Sequence, residues 1–234
     1  MAGAKTGISG QINNNIVTDG LVFYMDPAYK KSYPGTGTII SNIAENNSGS
    51  LNGSGGGNNS PQFQNTNGGI LDFDGTDDRI NIQGINTGPY SSLGANTTCH
   101  MWVNFDGGTA VLIGGSSYNN GGYFFYASPS SAYSSYGGSF DQGTWTSFGD
   151  EVWINYCVTK NDSGNIIWYG NGQQLDTGTA PTAGASIGFW AVGAYNGGNF
   201  AFNGQMGPVQ VYTRALSAGE VLQNYQAQKE RFGL

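Results

Sequence analysis

The sequence predicts an all-β domain: a sandwich of two antiparallel sheets with one short helix at its C-terminal end. Three observations carry this. Glycine accounts for 40 of the 234 residues, which suits many tight turns and disfavours long helices. Aromatic residues make up 13% of the chain and recur in alternating runs, so there is apolar surface to bury and disorder is disfavoured. The chain changes character only near its end, where a complete helix-start signal follows Arg214.

The elements follow in order. Residues 1–19 are polar, contain Gly and Asn and lack periodicity; they read as an arm, either frayed or docked on a partner. The domain proper is expected over 20–234. Residues 20–26 (GLVFYMD) are the first strand, broken by Pro27 and the run that ends in Pro34 and Gly35. Residues 46–60, rich in Asn, Ser and Gly, read as a long surface loop. Residues 69–74 and 77–82 read as strand, turn, strand, with Leu71, Phe73, Ile80 and Ile82 alternating as a half-buried sheet requires. Residues 97–105 form a strand with Cys99, Met101, Val103 and Phe105 on one face and His100 and Trp102 on the other. Shorter strands are expected at 110–113 and 123–127, and 128–149 is a Ser/Gly/Tyr region without a clear pattern. A hairpin joins 152–159 to 165–169 through the turn at 161–164. Asn171 and Gly172 make a further turn, and strands at 187–193 and 205–212 complete the sheets. Ser217 can cap a helix, Glu220 closes the capping box, and Leu216 with Val221 forms a hydrophobic staple. The helix should run to about residue 229, with Val221, Leu222 and Tyr225 facing the sandwich.

Charge excludes several function classes. The 8 Lys and Arg against 15 Asp and Glu leave a net charge of −7. Nucleic acid and anionic membranes both select for cations, so neither is an expected partner. No stretch has the make-up of a signal peptide or the length of a membrane span. The expectation is synthesis in the cytoplasm, without a leader. Cys99 and Cys157 both fall in strands and read as buried thiols, though a disulfide between neighbouring strands stays open.

Several motifs in fixed order resemble the concanavalin A-like, laminin G-like jelly roll. They begin with GLVFYMD (20–26) and FDGTDD (73–78). Trp102 with Val103, CVT (157–159) and WYGNG (168–172) continue the series. FNGQMGPVQVYTRAL (202–216), followed by Ser217 to Val221, completes it and is the most specific block. The wording of SYPG (32–35) and of PVQVYTRAL (208–216) is similar to laminin G-like proteins of tailed phages, notably those of cyanobacteria. That resemblance implies a virion component.

Enzyme chemistry finds little support. A glucanase of this architecture would need a Glu-x-Asp-x-(x)-Glu strand, with carboxylates flanking the glycosidic bond. Glu45, Glu151, Glu220 and Glu230 are the only glutamates, and none sits in such a pattern. His100 is the single histidine and points away from Cys99, so no nucleophile–base pair forms there. Zinc lacks ligands at suitable spacing. No cofactor is required. Calcium is the one metal with a candidate site, since Asp72, Asp74, Asp77 and Asp78 crowd one turn; the resemblance points to Asp74 and Asp78 as ligands. The bland reading is an acidic turn that keeps an edge soluble.

Aromatic residues in or beside Gly/Ser-rich loops are the other candidates: Tyr118, Tyr123, Tyr126, Tyr133, Tyr136, Trp145 and Trp190. Of these, Tyr118, Tyr126, Tyr136, Trp145 and Trp190 are the expected contacts to a glycan or a protein partner, because such rings stack on sugar faces and suit interfaces. Two readings follow. The favoured one is a non-enzymatic structural protein of a phage virion, a capsid decoration or tail-associated module touching other virion proteins. The alternative is an adhesin binding host surface polysaccharide, with calcium assistance. Either could gain from a homo-oligomer through multivalency.

Overall fold

The computed structural model describes residues 15–44, 48–52, 60–82, 96–114, 124–136, 139–180, 191–195 and 200–234. In chain order the strands are β1 (Leu21–Met25), β2 (Ile39–Ser41), β3 (Ser48–Asn52), β4 (Gln62–Gln64), β5 (Ile70–Asp74), β6 (Arg79–Ile82), β7 (Thr97–Phe105) and β8 (Ala110–Gly114). They continue as β9 (Phe124–Ser128), β10 (Ser131–Tyr136), β11 (Ser139–Thr144), β12 (Trp153–Lys160), β13 (Asn165–Gly170), β14 (Gln173–Thr179), β15 (Ala191–Val192) and β16 (Asn203–Tyr212). Helix α1 (Ala218–Gln228) and a 3-10 turn (Lys229–Phe232) end the chain.

The strands form two antiparallel sheets. The first runs β14-β13-β12-β7-β16-β5-β4, with β1 paired to the C-terminal half of β16. The second runs β11-β10-β9-β8-β15-β6-β3-β2. β16 changes partner along its length: residues 203–206 pair with β5 and residues 209–212 with β1. Its ladder to β7 slips between Met206 and Val209. Pro208, which has no N–H to give, sits in that slip.

The alternation expected in residues 97–105 holds. Cys99, Met101, Val103 and Phe105 enter the core between the sheets, beside Leu71, Phe73, Phe125, Tyr156 and Trp168. Each such side chain contributes roughly 1.5–3 kcal/mol by leaving water. Trp102 emerges on the opposite face and lies against Phe232 at 4.2 Å and Tyr225 at 5.8 Å, its indole N–H donating to Gln228. Cys157 also lies on this outer face, with Tyr212, Leu216 and Val221. Cys99 and Cys157 are therefore separated by the sheet, and no disulfide joins them.

α1 covers the outer face of the first sheet. Its capping box is complete: Ser217 accepts from the Glu220 N–H, and the Glu220 carboxylate accepts from the Ser217 N–H. The buried stripe is Val221, Asn224 and Gln228, spaced as one helical face requires. Leu222, expected inward, is 37% exposed. The polar residues displace it because their amides have buried work: Asn224 holds the Val17 N–H and the Tyr212 hydroxyl, and Gln228 holds Trp102. Residues 15–19 join this layer, with Ile16 and Val17 buried and Tyr212 donating to the Val17 carbonyl. Arg231 ties the chain end to the sheet through both oxygens of Asp26, at 2.8 and 2.9 Å, and through the carbonyls of Asn67 and Gly69.

Two segments differ from expectation. Residues 46–60 do not form one loop, since β3 pairs with both β2 and β6. Its Leu51, 4% exposed, is the apolar residue that anchors it. Residues 128–149 contain the β10–β11 hairpin. Of the strand expected at 187–193, β15 is described, and residues 181–190 lie outside the described residues.

Candidate functional site

With α1 on the first sheet, the outer face of the second sheet has no helix over it among the described residues. Strand register lines up its side chains. On β10, Ala132 and Ser134 are buried inward, so Tyr133 points out. Tyr133 stands opposite Tyr126 on β9 and Gln142 on β11. Tyr126 stands opposite Val111 on β8. Val111 faces outward by alternation with Ala110 and Leu112, which enter the core, and the slip between Val111 and Ile113 lets Ile113 enter the core as well. A row therefore crosses four strands: Gln142, Tyr133, Tyr126, Val111.

Phe200 extends the row. Its carbonyl accepts the Val111 N–H at 3.0 Å. Its ring meets Tyr126 edge-on at 5.9 Å and Tyr195 at 5.8 Å, while Tyr126 and Tyr133 lie 5.8 Å apart. Phe200 is 59% exposed and adopts a φ of 54°. An exposed ring and a left-handed backbone are both unfavourable for phenylalanine, a pairing found where function holds a residue in place. The loop that holds it is well tied: Phe202 N–H donates to Gly193, Gly75 N–H to Phe202, and Asp106 N–H to Asn203.

That loop links the row to the acidic turn. Carboxylate oxygens of Asp74, Asp77 and Asp78 lie within 4.8 Å of one another. The Asp74 N–H donates to Asp78 Oδ2 at 3.0 Å, and the Thr76 N–H to Asp74 Oδ1 at 2.8 Å. Asp78 is 2% exposed and its Oδ1 has no hydrogen-bond partner. Burial, and then the charges of Asp74, Asp77 and Asp72, push its carboxyl up to about 6, against the pull of the Asp74 N–H. An orphaned buried carboxylate oxygen among other carboxylates fits a hard cation with oxygen ligands, as calcium is.

The sequence-expected residues separate accordingly. Asp74 and Asp78 are brought together with Asp77. Tyr126 lies in the centre of the row. Trp145 does not join it: its ring packs 5.7 Å from Tyr156 against the main core and its Nε1 donates to the Pro129 carbonyl. Tyr136 ends β10, and its side chain, like residues Tyr118 and Trp190 as a whole, lies outside what is described. Tyr195, Phe200 and Gln142 were not expected. Their signal is weak, since each is a single residue in a Gly/Asn-rich or polar run. His100 is fully buried, its imidazole pushed down to about 3 by burial, with neither ring nitrogen hydrogen-bonded.

Comparison with known proteins accords with this architecture. Domain 4 of AbnA, an extracellular arabinanase from Geobacillus stearothermophilus solved with arabinotriose, superposes with a TM-score of 0.66 at 15% identity, covering 88% of this chain and 98% of that one. The botulinum neurotoxin D/C binding domain in complex with rat synaptotagmin II gives 0.66 at 12%, covering 91% and 52%. Trypanosoma rangeli sialidase with the inhibitor DANA gives 0.66 at 16%, covering 92% and 34%. The chain thus spans about half of the toxin domain and a third of the sialidase, and these likenesses show the fold. No curated protein sequence matches the chain. The profile of one family matches residues 74–222, from the acidic turn to α1. By that match, and by the two-sheet sandwich that bears it out, the chain belongs to the concanavalin A-like lectin/glucanases superfamily.

Proposed function

We propose that this protein is a non-enzymatic carbohydrate-binding module and that the row of Tyr133, Tyr126 and Phe200, flanked by Gln142, is its binding face. The observation that carries the reading is the row itself: exposed or half-exposed rings aligned across strands, one of them held in an unfavourable backbone conformation. Apolar sugar faces stack on such rings, and Gln142 offers a donor and an acceptor beside them. Among the described residues the row includes no carboxylate, so binding is the better reading than glycoside hydrolysis, which needs two. Asp141, next to Gln142, points inward and accepts from the Thr179 N–H. The likeness to an arabinanase domain solved with arabinotriose supports a sugar as ligand.

Calcium assistance belongs to the same proposal. An ion at Asp74, Asp77 and Asp78 would order the turn whose Gly75 holds the Phe200 loop. The setting we propose, on the phage-like motifs alone, is the surface of a virion, with other virion proteins as partners. Counting copies in purified particles by mass spectrometry tests that setting, and none found would remove it. The binding reading is tested on a glycan array with wild type and the Tyr126→Ala/Tyr133→Ala double variant. Wild type should retain a defined set of glycans and the double variant should lose them while still folding. Retention of the full set by the double variant would move the site elsewhere, and no binding by wild type would end the reading.

A further inference from the structure

We infer that the row takes a neutral, unbranched oligosaccharide laid across the strands, with about one sugar ring per aromatic ring, rather than a terminal acidic sugar. This rests on the glycan-binding reading above and specifies its ligand.

The first ground is geometry. The rings advance from Tyr133 on β10 to Tyr126 on β9 to Phe200 above β8, in steps of 5.8 and 5.9 Å. The first step follows the spacing of neighbouring strands, ~4.8 Å, and each is close to the length of one pyranose ring in an extended chain. A terminal-sugar pocket would instead converge polar groups on one point. The rings are also tilted, at 58° between Tyr126 and Tyr133 and 90° between Tyr126 and Phe200. They form no common plane, so a single chain that turns about its linkages fits them better than the flat face of a crystalline polymer.

The second ground is charge. An acidic glycan needs a cation with unspent hydrogen bonds. Among the described residues the row itself contains only Gln142, Tyr133, Tyr126, Val111, Tyr195 and Phe200. Arg79, on the same sheet, stands on β6, two strands beyond β8 and away from the rings, and directs its Nε and Nη1 to Asn81 Oδ1 at 3.0 Å and the Asp77 carbonyl at 3.2 Å. The net charge of −7 adds general repulsion of polyanions.

Calorimetric titration of the full-length protein tests this. The probes are neutral linear gluco-, xylo- and arabino-oligosaccharides of two to six sugars, sialyllactose, and a heparin-derived hexasaccharide. For at least one neutral series, affinity should rise about tenfold from the disaccharide to the trisaccharide or tetrasaccharide and then level off, as one further stacked ring supplies. Tyr126→Ala should abolish that rise. Tighter binding of either acidic probe, lost in Tyr126→Ala, would overturn the proposal while leaving the glycan-binding reading intact. Full affinity already at the disaccharide would also overturn it. Failure of every glycan here and on the array would end both.

Discussion

Replacing Phe200 by asparagine separates binding from folding. The left-handed conformation at φ 54° costs an ordinary L-residue roughly 1–2 kcal/mol, and asparagine tolerates it better than most. Against this relief stands the loss of two edge contacts, to Tyr126 and Tyr195. Each is worth ~0.5–1.5 kcal/mol when fully packed, and less here because the ring is 59% exposed. The terms nearly cancel. Phe200→Asn should therefore change stability by no more than about 1 kcal/mol, a shift of ~2–4 °C in Tm for a chain of this size. Its loop should persist, because the hydrogen bonds that hold it are made by backbone groups. Affinity for the best neutral oligosaccharide should fall about tenfold. Phe202→Ala is the contrast. Phe202 is fully buried and edge-packed on Phe73 and Phe105, so its loss should cost ~3–5 kcal/mol. Thermal unfolding and titration calorimetry on the two variants decide the matter. If Phe200→Asn destabilises as much as Phe202→Ala, the ring is part of the core. If it binds like wild type, the row does not include it.

Two further outcomes follow from the titratable groups. Asp78→Asn removes a buried charge repelled by Asp74 and Asp77, so at pH 7 and in chelator its Tm should exceed that of wild type. Calcium should raise the Tm of wild type only, and less at pH 5 than at pH 7.5, because protons compete for a carboxyl titrating near 6; a calcium shift that survives in Asp78→Asn would place the ion elsewhere. His100, pushed down to about 3, stays neutral when folded. Below about pH 6.5 the unfolded chain takes up a proton that the folded protein excludes, so stability falls with pH by up to ~1.4 kcal/mol per unit. His100→Leu should hold or improve stability at pH 7, since it removes two unpartnered ring nitrogens. It should also flatten that part of the acid slope in urea unfolding at pH 7 and 4.5, and an unchanged slope would mean that His100 is reachable by protons.

What the sequence determined by itself was local. The period of two in residues 97–105 put Cys99 and Met101 on one face and Trp102 on the other, because neighbouring side chains on a strand must alternate. The α1 start was legible in Ser217 and Glu220, whose side chains complete the cap within one turn. The hairpin at 171–172 was legible because Asn171 and Gly172 both tolerate the positive φ it needs. The crowding of Asp74, Asp77 and Asp78 was visible since one turn contains all three. β3 was not legible: its five residues carry one apolar side chain, and its place between β2 and β6 comes from pairing rather than propensity. Nor was the candidate binding row. A strand's own period says which residues share a face, but Tyr126, Tyr133 and Gln142 become neighbours only through register across three strands. Val111 joins them through its pairing with Tyr126, and Phe200 through a loop that returns from a distant part of the chain. Whether the row would be open or covered depended on which sheet α1 chose. Tertiary structure decided that too, because the buried partners of Asn224 and Gln228, residues 17, 102 and 212, come together only in the folded chain.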